Sequence, residues 1–199
     1  MDDSTVEDER SRGGRPRSEQ AREAVLHAVD DLLLEVGYAA MTMKGIAERA
    51  GVSRMTVYRW WSTKAEILFE ATAADAEQEL VTSPAGGPLD DLTAYLEALV
   101  VFLSRSPAGA AYRALLGEAQ HDPAVAALLA SRDILGDSAR AVIARAAPHG
   151  TGPLTPEQAT ALLVGPVFYW IASGRNPAQF DARKLAEVFM RDLHPGQPV

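Results

Sequence analysis

Arg54, Met55 and Thr56 follow directly on Ala50, Gly51, Val52 and Ser53, an order of residue types with one coherent chemistry. Gly51 permits a tight turn between two short helices, Val52 packs between them, and Ser53 caps the second. The second helix of such a helix-turn-helix lays its N-terminal residues into the major groove of DNA. There the Arg54 guanidinium matches the O6 and N7 acceptors of guanine, while Met55 and Thr56 suit thymine methyl groups. Tyr58, Arg59 and Lys64, with Lys44 before the turn, offer donors to phosphates, which fix register without reading sequence. The N–H groups of the helix that begins at Thr42 can hold a further phosphate. Upstream, Arg15 and Arg17 flank Pro16, and Arg-Pro-Arg in an extended arm suits a narrow, A/T-rich minor groove. The plainer reading of that arm is a solubilising tail.

Other chemistry finds little support. The four histidines, His27, His121, His149 and His194, lie far apart, no HExxH occurs, and cysteine is absent. Glycine-rich stretches do not follow strands, so no phosphate loop is expected. His121 beside Asp122 reads as the end of a helix rather than an acid/base pair. The expectation is therefore no catalytic residue, no metal and no cofactor: the chain is not read as an enzyme.

The elements that must hold these residues are helices throughout. Apolar positions Val25, Ala28, Leu32, Leu33 and Val36 recur at three and four and predict a helix over 18–36, ended by Gly37. Thr42 caps a helix to 50, Ser53 one over 54–60, and Thr63 with Glu66 opens a longer one toward 81. The turn-rich 82–88 is the best internal linker. Helices then follow over 89–103, 107–119, 123–147 (bending at Gly136), 155–173 and 181–193. The fold class is all-α with about nine helices. The expected organisation is a disordered arm over 1–17, a three-helix DNA-binding module over 18–63, and a helical body over 64–199.

Charge follows the same division. The net charge of −8 over 199 residues argues against a nucleic-acid partner when taken whole. Residues 1–9 hold five acids and no base, residues 10–64 ten bases and six acids, and the rest nine bases and sixteen acids. A basic head thus precedes an acidic body. No apolar run reaches the length of a membrane span, and the acidic start is not a signal peptide, so no membrane partner and a cytoplasmic location are expected.

The head resembles the TetR family of transcriptional regulators. The resemblance rests on Gly37 and Tyr38, Thr42, Ile46 and Ala47, Ala50 to Ser53, Val57 and Tyr58, an aromatic pair, Ser62, Lys64 and Leu68. It implies phosphate and base contacts at Thr42, Ser53, Arg54, Thr56, Tyr58, Arg59 and Lys64. Two positions depart from the pattern. Gly45 replaces an acidic residue and loosens its helix by about 1 kcal/mol; Trp60 and Trp61 replace a His-Phe-like pair, Trp61 reading as core.

The resemblance also implies a C-terminal bundle for dimerisation and ligand binding. Leu162, Leu163, Val167, Trp170 and Ile171 make their helix apolar on most faces, which calls for a partner besides its own core. With Leu185, Val188 and Phe189 of the last helix they form the expected homodimer interface. Phe102, Tyr112, Leu115, Leu116, Phe168 and Tyr169 are candidates to line a pocket for an unknown small-molecule effector, though each also reads as plain core. The expected function is a repressor that binds a palindromic double-stranded DNA operator as a dimer and is released by that effector. A helical protein-interaction module, or a regulator or activator without a ligand, are the alternatives.

Overall fold

The computed structural model describes residues 14–84 and 86–193, and every regular element among them is helical. The chain divides into two compact units, one up to Ala71 and one from Thr72. In the first, α1 (Gly14–Ala40), α2 (Met43–Arg49) and α3 (Arg54–Tyr58) are followed by α4 (Lys64–Glu79), within which the division falls. Val25, Ala28, Val29 and Leu33 of α1 are buried with Ile46 and Ala47 of α2, Val57 of α3, and Trp61. The helix breaks at Gly37, but Tyr38, Ala39 and Ala40 resume it as a short extension.

One expectation about the start of the chain changes. Residues 1–13 of the arm lie outside the described residues. Residues 14–17 belong to α1 rather than to an extended arm. Pro16 does not prevent this, because in the first turn its missing N–H has no partner to lose.

The second unit is built around α5 (Pro88–Arg105), whose Leu92, Tyr95, Leu96, Leu99, Phe102 and Leu103 are all buried. Against it lie α6 (Pro107–Glu118), α8 (Ile134–Ala146), α9 (Pro156–Ala172) and α10 (Ala182–Leu193), with α7 (Pro123–Ser131) packed on α6. The span 123–147 is two helices rather than one bent at Gly136. Asp133 breaks it, accepting the Gly136 N–H at 3.0 Å as the N-cap of α8. A Cβ on Gly136 would stand 1.8 Å from the Asp133 carboxylate, so a larger residue there would displace this carboxylate from its capping position. The turn-rich 82–88 lies inside the second unit; Arg145 of α8 holds it by donating to the Thr82 carbonyl at 3.2 Å. The capping box of α9 forms as its sequence indicates, Thr155 Oγ1 accepting the Gln158 N–H and Gln158 Oε1 the Thr155 N–H. A short 3-10 turn, Pro177–Gln179, precedes α10. No helix among the described residues is long and apolar enough to cross a membrane.

Candidate nucleic-acid interface

The turn between α2 and α3 is fixed by local bonds. Thr42 Oγ1 accepts the Gly45 N–H at 3.0 Å, and Ser53 Oγ accepts the Thr56 N–H at 3.1 Å. Between them Gly51 sits at φ +67°, a conformation that side chains with a Cβ resist. The Val52 N–H reaches the Ala47 carbonyl at 3.0 Å and closes the turn. Arg49 secures α2 to α1, bonding both Glu35 oxygens and standing 3.5 Å from Asp31. That pairing holds the Glu35 carboxyl below the usual carboxylate range and keeps Arg49 charged.

On this frame α3 presents Arg54 and Met55 to solvent, Met55 with 81% of its surface exposed. An exposed methionine at the start of a short capped helix has no core role and is free to touch a partner. Arg54 and Arg59 form no ion pair among the described residues, whereas Lys44 stands 3.6 Å from Glu48. The Arg59 guanidinium lies 4.9 Å from the Trp60 ring centroid. Trp60 is thus a plate that holds the Arg59 head beside α3. Tyr58 is exposed next to it. Thr56 is half-buried, and its hydroxyl lies 2.9 Å from Ser53 Oγ. Trp61 is core: its ring meets Trp60 edge-on at 5.5 Å, and its Nε1 donates to Glu70 at 2.9 Å.

Lys64 stands apart from the others. Its Nζ donates to the Tyr38 carbonyl at 2.6 Å and the Met41 carbonyl at 3.1 Å, 4.2 Å from the Tyr38 ring centroid. Two of its three N–H donors are therefore spent on the end of α1, which leaves one for a phosphate. Arg17 is exposed on α1, in a helix rather than in the extended backbone that minor-groove insertion needs; Arg15 shares that helix.

The second unit holds a cavity of about 420 Å³ between α6, α8 and α9. Tyr112, Leu116 and Phe168 line it, as their residue types suggest, together with Leu135, Ala161 and Val164. Phe102 and Leu115 do not: both are fully buried in the core behind it. Tyr169 is exposed and does not line it, its ring lying under the Arg175 guanidinium at 4.8 Å. The polar residues Asp133, Arg140, Glu157 and Thr160 also line the cavity, and the sequence did not single them out.

The apolar helix α9 is sorted by the structure into two faces. Leu163 and Val167 have no exposed surface and Phe189 of α10 has 1%, so these three support the core and offer no surface to a partner. Leu162, Tyr169 and Val188 are exposed; Trp170, Ile171 and Leu185 are half-buried, Ile171 lining a hollow with Leu116 and Phe168. Trp170 is anchored by its Nε1, which donates to the Asn176 carbonyl at 2.9 Å.

Comparison with known proteins bears on both units. The family model "Bacterial regulatory proteins, tetR family" matches residues 25–71, and "Tetracyclin repressor-like, C-terminal domain" matches residues 83–189. The HTH-type transcriptional regulator YdeS of Bacillus subtilis is 39% identical over 116 residues, 58% of this chain and 58% of that protein. The chain thus matches little more than half the length of this curated relative. Among solved structures, the TetR family transcription regulator SCO0332 is 26% identical, with a TM-score of 0.66, over 90% of this chain and all of its own. AibR, solved with isovaleryl coenzyme A and operator DNA, shares the fold at 20% identity and a TM-score of 0.54, over 88% of this chain and 98% of its own.

Proposed function

The chain belongs to the TetR family of bacterial regulatory proteins, and from that premise we propose that this DNA-binding transcriptional regulator is a ligand-responsive repressor. It binds a palindromic operator as a homodimer in the cytoplasm and leaves it when a small molecule fills the cavity of the second unit. The observation that carries the reading is the outward presentation of Arg54 and Met55 on a capped α3, flanked by Arg59 on the Trp60 ring. Arg54 reads guanine, and Met55 with the Thr56 methyl reads thymine. Tyr58, Arg59 and Lys44 contact phosphates, as do the N–H groups at the starts of α2 and α3, where Thr42 and Ser53 sit. Arg17 on α1 adds to the same field, whereas Lys64 is engaged by the Tyr38 and Met41 carbonyls at the end of α1.

The exposed face of Leu162, Tyr169 and Val188, with Trp170, Ile171 and Leu185, pairs α9 and α10 with those of a second copy. Such pairing sets two recognition helices about 34 Å apart, one DNA turn. α9 also lines the cavity, so a ligand there bears on the helix that carries the dimer face. Pro166 interrupts α9 and removes the N–H that would bond the Leu162 carbonyl, which makes this helix the deformable one. That AibR is known with both an acyl-coenzyme A and operator DNA supports ligand response within this fold.

Genome-wide mapping of bound sites tests the reading. It is expected to return a palindrome with half-sites one turn apart. Bound sites without shared sequence would reject it.

A further inference from the structure

We propose that the cavity between α6, α8 and α9 is selective for a lipophilic organic cation: an apolar body seated on Tyr112 and Phe168, with its positive charge facing Asp133 and Glu157. The inference rests on the ligand-responsive reading above and names the chemical class of that ligand.

The walls set the body. Leu116, Leu135, Ala161, Val164 and Phe168 are apolar, and about 420 Å³ is within the range of drug-sized sites. The rim sets the charge. Glu157 has no ion pair among the described residues, and its carboxyl is held below the usual carboxylate range. Its own backbone N–H at the start of α9 does this first, the Thr155 hydroxyl second, and the Arg140 charge adds a smaller contribution in the same direction. Arg140 is the one basic residue of the lining, and it is already engaged. It donates to Asp133 at 3.1 Å and to Asp137 at 2.6 Å. With two carboxylates already on that guanidinium and Glu157 besides, the rim carries an excess of negative charge that would repel an anionic ligand.

Two neutral groups fit the same occupant. Burial, with a contribution from Asp133, pushes the Tyr112 phenol up to about 12, so the ring stays neutral and offers its face to a cation. Thr160 of α9 is 8% exposed, yet its Oγ1 has no hydrogen-bond partner. A helical threonine ordinarily bonds the carbonyl one turn back. An unmade bond in a cavity wall leaves a polar contact for a ligand. An adjoining hollow shares Leu116 and Phe168 and carries Arg113, whose pKa is lowered by burial. That guanidinium lines the adjoining hollow and not the cavity that Asp133 and Glu157 line.

Tetraphenylphosphonium and tetraphenylborate have nearly the same shape and opposite charge, which makes them suitable probes. Isothermal titration of the full chain is expected to show tetraphenylphosphonium bound at least tenfold more tightly. Glu157→Gln and Asp133→Asn, the second of which keeps a capping side chain, should each weaken the cation about fivefold. Arg113→Gln should leave it unchanged. Equal or tighter binding of the borate would overturn the proposal, as would cation binding insensitive to both carboxylate variants. Operator affinity, measured in parallel, separates the two readings. If tetraphenylborate or an acyl-coenzyme A releases the operator and the phosphonium does not bind, the cation inference fails and ligand response stands. If the phosphonium binds as described and operator affinity does not change, the inference stands and release by this cavity fails.

Discussion

Replacing Lys64 with methionine separates two roles that its position allows. As a phosphate donor it would matter only on DNA; as the partner of the Tyr38 and Met41 carbonyls it holds the end of α1 against the start of α4. Methionine keeps the aliphatic stem and deletes the ammonium. Hydrogen bonds to a charged group contribute about 1.5–3 kcal/mol each when buried, and water can partly replace these at a half-buried site. Together with about 0.5 kcal/mol from the Tyr38 ring, the loss comes to about 2 kcal/mol. For a unit of this size that shifts the urea midpoint by about 1–2 M. Trp60 and Trp61 report on the first unit, and Trp170→Phe in the background silences the second, so fluorescence follows the relevant transition. Operator affinity against salt, read by anisotropy under conditions where both proteins are folded, should keep its log–log slope. A lost phosphate contact would instead reduce that slope by about 0.9 per subunit. An unchanged midpoint with a reduced slope would refute the clamp and return Lys64 to the phosphate contacts.

Trp60→Ala should weaken operator binding several-fold for all sequences alike by freeing the Arg59 head, with Trp60→Phe retaining most of the affinity; competition binding over an operator panel checks this. Leu162→Glu on the exposed face should convert a dimer to a monomer in sedimentation velocity while the fold is kept. Leu163→Ala should instead cost about 2–4 kcal/mol of stability through a core cavity, with the dimer intact at moderate concentration. Tyr95 and Tyr112 are each pushed up to about 12, chiefly by burial, so absorbance titration should find two of the five tyrosines ionising late. Because the folded state favours the neutral phenols, their contribution is fully present below about pH 10 and is lost as pH rises from there toward 12. Loss of stability confined to lower pH would contradict that assignment.

The head was legible because its information is local. Thr42 and Ser53 each accept a first-turn N–H three residues on, and Gly51 marks the backbone turn that the pair of helices needs. Lys64 was not legible in its observed role, since it meets carbonyls 23 and 26 residues away and a lone lysine carries no sign of them. The break at Asp133 was masked by apolar residues that keep helical spacing on both sides; Asp133 three residues before Gly136 was the available signal. For α9, an apolar pattern on most faces identified a buried helix without saying which residues turn inward. Leu163 and Val167 face the core and Leu162 and Tyr169 do not, a choice made by where α5 and α8 lie. The cavity residues Asp133, Glu157 and Arg140 come from two helices and a cap and are brought together only by the packing of α8 against α9.

Selection of bound sequences from a randomised duplex pool, with the wild-type chain and Arg54→Ala side by side, tests the central claim most directly. The wild type is expected to enrich a palindrome with half-sites about 10 base pairs apart, and Arg54→Ala to lose preference at one guanine per half-site while binding persists. Enrichment of the same sequence with equal stringency by Arg54→Ala, or no enrichment by the wild type, would contradict it.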